Sequence, residues 1–214
     1  MKLRVCLALA PIVLLAAVSS VSSAAAVDKL DSSATRRWQP WCVRAPKLVC
    51  TIRGTGSNSG VTGTLVFSNV RDTAHNSWRR WGRRGRRCRV KVTGSIQGLS
   101  PGKHGLHIHS FGDERATSGS SLGPHFPNPW FIPTPHGLPN DRQRHWGDFG
   151  NFVTDTSGVA RVDYVDRLVT LRGIVGRGMV IHGGEDKGAA FQPSGASGPR
   201  MGTCVIGYAN PDLK

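Results

Sequence analysis

The chain has 214 residues, 38% of them hydrophobic, and its 28 lysines and arginines outnumber 13 acidic residues, giving a formal net charge of +15. This length suits one domain with extensions. Beyond the first residues, no apolar run is long enough to cross a membrane, which excludes a multispanning membrane protein. So basic a chain is expected to have polyanionic neighbours, such as glycosaminoglycans, anionic cell surfaces or nucleic acid.

The first 26 residues have the three-part pattern of a secretory signal. Lys2 and Arg4 precede an apolar run over residues 5–18, and the small residues that follow end in Ala-Ala-Ala. The apolar part is short for a membrane span, although an uncleaved anchor is the alternative. We therefore expect residues 1–26 to be removed and the protein to be secreted and extracellular, with no transmembrane segment left.

Residues 27–46 are short and polar, and they predict an N-terminal arm ahead of a main domain at residues 47–214. Removal of the signal would leave four cysteines, namely Cys42, Cys50, Cys88 and Cys204. In an oxidising compartment, four cysteines allow three disulfide pairings, and these residues alone do not select one.

From residue 47 the apolar pattern has a period of two, which predicts β-strands. The predicted strands cover residues 48–53, 61–70, 90–96, 106–111, 152–154, 160–164, 168–171, 179–182 and 204–208. Short strands separated by glycine-rich turns, without helical periodicity, favour an antiparallel sandwich or barrel. Residues 110–151 are instead rich in glycine, proline and histidine, and so long a loop needs something to order it.

A strongly basic insertion at residues 71–89 separates the second and third predicted strands. It has no acidic residue after Asp72, and Trp78 and Trp81 lie among its arginines. Guanidinium groups form paired hydrogen bonds with sulfate and phosphate, so the segment predicts binding of heparan sulfate or another polyanion. The arginines concerned are Arg79, Arg80, Arg83, Arg84, Arg86 and Arg87. A solvated loop without a partner is the alternative.

Histidines dominate the candidate functional residues. His107 and His109 lie two residues apart on an extended segment and should point to the same face, as two ligands of one metal must. The further candidates are His125, His136, His145, Asp148 and His182. Neutral imidazoles with one carboxylate suit zinc and copper.

The neighbours of these residues form recognisable motifs: Gly-Pro-His125-Phe, His136-Gly-Leu-Pro, Arg144-His145-Trp-Gly-Asp148-Phe-Gly-Asn151 and Gly176-Arg177-Gly-Met-Val-Ile-His182. With them the chain resembles the copper/zinc superoxide dismutase family over about residues 47–209. The resemblance implies an all-β fold. It is a flattened, eight-stranded antiparallel Greek-key barrel of the immunoglobulin-like sandwich type, with long metal-binding and electrostatic loops.

The resemblance also implies the ligands and their roles. Copper would be bound by His107, His109, His125 and His182, and zinc by His125, His136, His145 and Asp148. His125 would bridge the metals and pass on a proton, and Arg200 would draw superoxide to the copper. Asp186 would link a copper histidine to a zinc histidine, and Arg144 would pair with Asp166 beneath the zinc loop.

We therefore expect a secreted, homodimeric oxidoreductase that converts superoxide into dioxygen and hydrogen peroxide. Two departures from the family favour the alternative, a catalytically weak or inactive dismutase-like scaffold. The family disulfide cannot form, because Ser118 or Gly119 and Thr203 stand at the cysteine positions. In addition, the loop between His182 and Arg200 is shorter than in typical members.

The displaced cysteine has a possible new partner. Cys204 follows the usual cysteine position by one residue, which reverses its side-chain direction and should turn it into the barrel, where Cys50 also points in the family. A Cys50–Cys204 disulfide would leave Cys42 to pair with Cys88. Two buried free thiols are the alternative.

Overall fold

Nine antiparallel strands form one sheet in the computed structural model, which describes residues 45–71, 88–130 and 132–213. The strands are β1 Leu48–Gly54, β2 Thr62–Arg71, β3 Cys88–Gln97, β4 Gly102–Ile108, β5 Asp148–Thr154, β6 Val159–Asp166, β7 Gly178–His182, β8 Arg200–Val205 and β9 Gly207–Tyr208. One short α-helix, α1, covers Leu171–Ile174, and 3-10 turns cover Ser120–Leu122 and Gly188–Ala190.

The strand order is β5-β4-β7-β8-β1-β2-β3-β6, and the two-residue β9 pairs with β1. Strands that are distant in sequence therefore lie side by side, as in a Greek key. The end strands β5 and β6 are also neighbours, so the sheet curls into a nearly closed barrel. The predicted all-β, eight-stranded antiparallel barrel is confirmed.

The alternating pattern of the strands produces the core. On β1, Leu48, Cys50 and Ile52 are buried, whereas Thr51 and Arg53 face solvent. Successive side chains of a strand point to opposite faces. Apolar residues at every second position therefore place one face of the strand in the barrel core and leave the other face towards solvent. Each large aliphatic side chain buried in this way stabilises the fold by roughly 1.5–3 kcal/mol.

A disulfide joins Cys50 of β1 to Cys204 of β8 inside this core, with Cα atoms 5.5 Å apart. The two residues are 0% and 2% exposed. The predicted pairing is confirmed, and the alternative of two free thiols is wrong. Cys88 is also disulfide-bonded. Cys42 lies outside the described residues, so its pairing with Cys88 stays a prediction.

The strand predicted at residues 168–171 is wrong. Asp166 Oδ1 accepts hydrogen bonds from the backbone N–H groups of Leu168 and Val169, at 2.6 and 2.8 Å. Thr170 then caps α1 by accepting the N–H of Gly173 at 3.1 Å. These side chains satisfy the backbone locally, so the segment turns instead of joining the sheet.

Several predictions fall outside the described residues. They concern the signal at residues 1–26, residues 27–44 of the arm and residues 72–87 of the basic insertion, and they stay predictions. Among the helices of the described chain, none is long and apolar enough to span a membrane.

Candidate metal centre

Three adjacent strands bring the candidate ligands to one place. β4, which carries His107 and is followed by His109, lies between β5, which begins at Asp148, and β7, which ends at His182. The loop at residues 109–147 supplies the remaining histidines, and a backbone bridge between His109 and His125 holds its first part against the barrel.

Four buried imidazoles form the first cluster, which we call the all-histidine cluster: His107, His109, His125 and His182. The ring centroid of His107 lies 4.2 Å from that of His125 and 4.8 Å from that of His182. The ring of His109 lies 4.9 Å from that of His125. The structure thus brings together all four predicted copper ligands.

Each of three rings in this cluster is held by its outer nitrogen. His107 Nε2 donates to Asp186 Oδ2 at 2.8 Å, and His109 Nδ1 donates to the carbonyl of Gly123 at 2.7 Å. His182 Nδ1 lies 3.1 Å from the carbonyl oxygen of Gly198. Such partners fix the tautomer and leave a lone pair on the opposite nitrogen.

The opposite nitrogens are buried and find no hydrogen-bond partner among the described residues. They are His107 Nδ1, His109 Nε2 and His182 Nε2. Burial, with the charges of neighbouring groups, lowers the pKa of His109 to about 2 and that of His182 to about 3. Both rings are therefore neutral near pH 7, the form that binds a metal.

The second cluster, which we call the carboxylate cluster, gathers three histidines around Asp148. Asp148 Oδ1 lies 2.7 Å from His125 Nδ1 and 3.0 Å from His136 Nδ1, and Asp148 Oδ2 lies 3.1 Å from His145 Nδ1. The four ligand atoms lie within 4.8 Å of one another, so they could hold one ion. His125 belongs to both clusters, as the shared ligand must.

In the carboxylate cluster, burial and closely packed charges shift the pKa values of the side chains. Burial lowers the pKa of His125 to about 4, against the opposing hydrogen bond with Asp148. Although burial also acts on His136, the carboxylates of Asp148 and Asp186 raise its pKa to about 9. Burial likewise disfavours the charged form of Asp148, but hydrogen bonds from the histidines hold its pKa below the usual range.

Asp186 connects the two clusters. Its Oδ2 accepts from His107 Nε2 and its Oδ1 from His136 Nε2, each at 2.8 Å. Asn151 holds the backbone of Asp186 in turn: its Oδ1 accepts the Asp186 N–H at 2.7 Å and its Nδ2 donates to the carbonyl at 2.8 Å. The predicted position of Asp186 agrees with this geometry. The role of Asn151 was missed, although it stands in the Asp148-Phe-Gly-Asn151 motif.

Arg200, the first residue of β8, lies beside the all-histidine cluster. Its Nη2 donates to the carbonyl of Gly123 at 2.8 Å, and its Nη1 donates to the carbonyl of Gly119. The carbonyl of Gly123 also accepts from His109 Nδ1, so the guanidinium shares an acceptor with a ring of this cluster.

Hydrogen bonds and packing fasten the loop at residues 112–123, where the family disulfide is missing. A Cβ atom at Gly119 would lie 2.8 Å from Thr203 Cγ2, so these residues touch near the expected place of the bridge. Thr203 Oγ1 donates to Glu114 Oε1 at 3.0 Å, and the N–H of Gly56 donates to the carbonyl of Thr117 at 3.0 Å.

A buried ion pair anchors the loop that carries the carboxylate cluster. Arg144 Nη2 donates to Asp166 Oδ2 at 2.6 Å, which confirms the predicted pairing. Arg144 Nη1 also donates to the carbonyl of Asp148 at 2.8 Å. His104 is buried beside this region, with its ring nitrogens 3.0 Å from the carbonyl oxygen of His182 and 2.8 Å from that of Ser100.

The barrel and the two joined clusters define a β-barrel metalloprotein with adjoining metal sites. A family model described as copper/zinc superoxide dismutase matches residues 61–206, a span that contains every candidate ligand and Arg200. The chain belongs to the copper/zinc superoxide dismutase family. It is 46% identical over 125 residues to the protein named superoxide dismutase (Cu-Zn) 3 of Arabidopsis thaliana, covering 54% of this chain and 73% of that protein. Family membership confirms the predicted oxidoreductase class and the predicted cofactors, copper and zinc.

Proposed function

We propose that this chain is a superoxide dismutase in which the all-histidine cluster binds copper and the carboxylate cluster binds zinc. Copper falls to His107, His109, His125 and His182, and zinc to His125, His136, His145 and Asp148. The observation that carries the proposal is the set of three inward-facing, buried nitrogens without a partner in the described chain.

The residues fit the metals chemically. A buried polar atom without a partner costs about 1–3 kcal/mol, and a metal bound by the three nitrogens would remove that cost. A site made only of imidazoles suits copper, and three imidazoles with one carboxylate suit zinc. Bound copper would supply the one-electron redox change that converts superoxide into dioxygen and hydrogen peroxide, while zinc would order the loop.

The side chains of the protein supply the rest. Arg200 places a positive charge beside the copper ligands and attracts the superoxide anion. His125, whose Nδ1 faces Asp148, takes up and releases a proton at its Nε2. Asp186 keeps the rings of His107 and His136 turned towards their metals.

A dismutase-like scaffold is the second candidate, favoured by the missing family disulfide and by the shortened loop between His182 and Arg200. Metal content and superoxide dismutation of the purified protein, with and without added copper, distinguish the two. We expect one copper and one zinc per chain and copper-dependent turnover. Bound metals without turnover would support the scaffold. Absence of both metals would refute both proposals.

We further propose that the protein is secreted and held near polyanions. The pattern at residues 1–26 supports secretion, and the buried Cys50–Cys204 disulfide is typical of an oxidising compartment. The arginines of the basic insertion would bind sulfate groups.

Heparin chromatography tests the polyanion proposal with matched changes of charge. Replacing Arg79, Arg80 and Arg83 by glutamine should lower the salt concentration needed for elution. The control replaces three exposed arginines elsewhere in the same way: Arg161 on β6, Arg167 after it and Arg172 on α1. If the two triple variants elute at the same salt concentration, heparin binding depends on net charge alone, and the proposal of a specific binding segment is contradicted.

We also propose a homodimer. Phe111 is 58% exposed and precedes Gly112, which packs so closely on the carbonyl of Gly176 that a Cβ would lie 2.1 Å from its oxygen. Aromatic residues are enriched at the centres of protein–protein interfaces, so we assign the dimer contact to the surface around Phe111. Light scattering should give the mass of a dimer for the wild type and of a monomer for Phe111→Glu; equal masses would contradict this surface.

A further inference from the structure

The shortened loop after Asp186 contacts the backbone of a carboxylate-cluster histidine through the side chain of Gln192. Its Oε1 accepts the backbone N–H of His136 at 2.8 Å, and its Nε2 donates to the backbone carbonyl of His136 at 2.9 Å. The same Nε2 donates to the carbonyl of Ala189 at 2.9 Å. The carboxamide thus pairs with both backbone groups of His136 and with its own loop.

His136 depends on such partners because of where it lies. It belongs to an irregular, proline-rich stretch, so no neighbouring strand orders its backbone. A carboxamide offers one acceptor and two donors, and it can replace a strand in this role. The residue is completely buried, so its N–H and carbonyl would otherwise be costly to leave unsatisfied.

The same loop also contacts the imidazole ring of His136. Asp186 Oδ1 accepts from His136 Nε2 at 2.8 Å, and Gly195 packs directly over this contact. A Cβ at Gly195 would lie 2.1 Å from Asp186 Oδ1 and 2.5 Å from His136 Nε2, so only glycine fits. Ring and backbone of His136 are therefore held by one segment, residues 186–195.

We propose that Gln192 is a positioning residue for the zinc site, so that zinc retention depends on the contact between the shortened loop and His136. This inference rests on the proposed function, because it takes His136 as a zinc ligand. The short loop has fewer residues with which to cover the centre, and the Gln192 carboxamide compensates by linking it to the ligand itself.

Zinc affinity, measured by competition with a chromogenic chelator, tests the proposal in the full-length protein. Gln192→Ala should weaken zinc binding about tenfold, as expected when an outer partner of a metal ligand is lost. Gln192→Glu keeps the acceptor for the His136 N–H but turns an acceptor oxygen towards the carbonyls of His136 and Ala189, so it should weaken zinc binding as well. The control is Gln97→Ala, which removes an exposed glutamine hydrogen-bonded to Thr62 on the barrel.

Cobalt placed in the zinc site gives a second measurement, because its visible spectrum reports ligand geometry. We expect an altered spectrum for Gln192→Ala and for Gln192→Glu, and an unchanged one for Gln97→Ala. If the wild type binds zinc and copper but Gln192→Ala retains its zinc affinity and cobalt spectrum, the proposal for Gln192 is overturned. A melting temperature lowered equally with and without zinc, at unchanged affinity, would also overturn it. Failure of the wild type to bind either metal would instead overturn the proposed function.

Discussion

Replacing both cysteines of the core disulfide by alanine should strongly destabilise the barrel. The bridge closes a loop between positions 154 residues apart. Chain entropy for a loop of that length corresponds to about 5 kcal/mol at 25 °C, removed from the stability when the crosslink is absent. Alanine is the appropriate replacement because both side chains are buried, and serine would add the cost of placing a hydroxyl in the core.

Denaturation in urea, followed by fluorescence with both proteins loaded with zinc, measures this difference. The midpoint should fall for C50A/C204A, and the slope should rise because an uncrosslinked chain exposes more surface. Reducing and denaturing the wild type should bring its refolding curve towards that of the variant. Identical midpoints and slopes without reductant would refute the reasoning, since they would mean that the crosslink does not restrict the unfolded chain.

Three other predictions concern the centre. Asp148→Ala should reduce zinc binding and make the loop at residues 110–147 sensitive to protease, because metal binding and loop order share one free energy; normal zinc stoichiometry would contradict the assignment. Arg200→Glu should lower the rate of dismutation by about ten- to a thousandfold through reversed steering, with Arg200→Lys falling in between and copper content unchanged; equal rates would exclude Arg200 from the approach path. The metal-free protein should lose stability as pH falls from 6.5 towards 4, because the pKa values of His109, His125 and His182 are lowered to about 2, 4 and 3, so the unfolded chain takes up protons that the folded chain refuses. His136, with a pKa of about 9, is already protonated in that range and adds little slope; a flat urea midpoint from pH 6.5 to 4 would contradict this reading.

Much of the fold was predictable because the strands carry their burial pattern locally. Alternation places Leu48 and Ile52 inside and Thr51 outside without knowledge of any neighbour. The segment at residues 168–171 misled because its hydrophobicity resembles a strand, while the outcome was decided by Asp166 and Thr170, whose side chains bond to nearby backbone. Local hydrogen bonding of this kind has no period to detect.

The residues of the site were also predictable only in part. His107, His109 and the later histidines were found because their motifs survive as contiguous residues. Gln192 was missed because its contacts with His136 span 56 positions, and no pattern within one segment signals them. For the disulfide, strand parity predicted that Cys204 points inward, but not that it lies near Cys50. That required the register of β1 on β8, which pairs Arg53 with Thr203.

The placement of Cys50 and Cys204 also changes how the protein would respond to thiols in its surroundings. A crosslink between a loop and a strand at the surface can be attacked while the protein stays folded, whereas these two sulfurs have almost no contact with solvent. A thiol can therefore react with the disulfide only after the barrel has opened. At high thiol concentration, opening limits the reaction, and the rate of reduction equals the rate of opening. The rate at which this disulfide is reduced would therefore measure the rate of spontaneous unfolding in native buffer, without heat or denaturant.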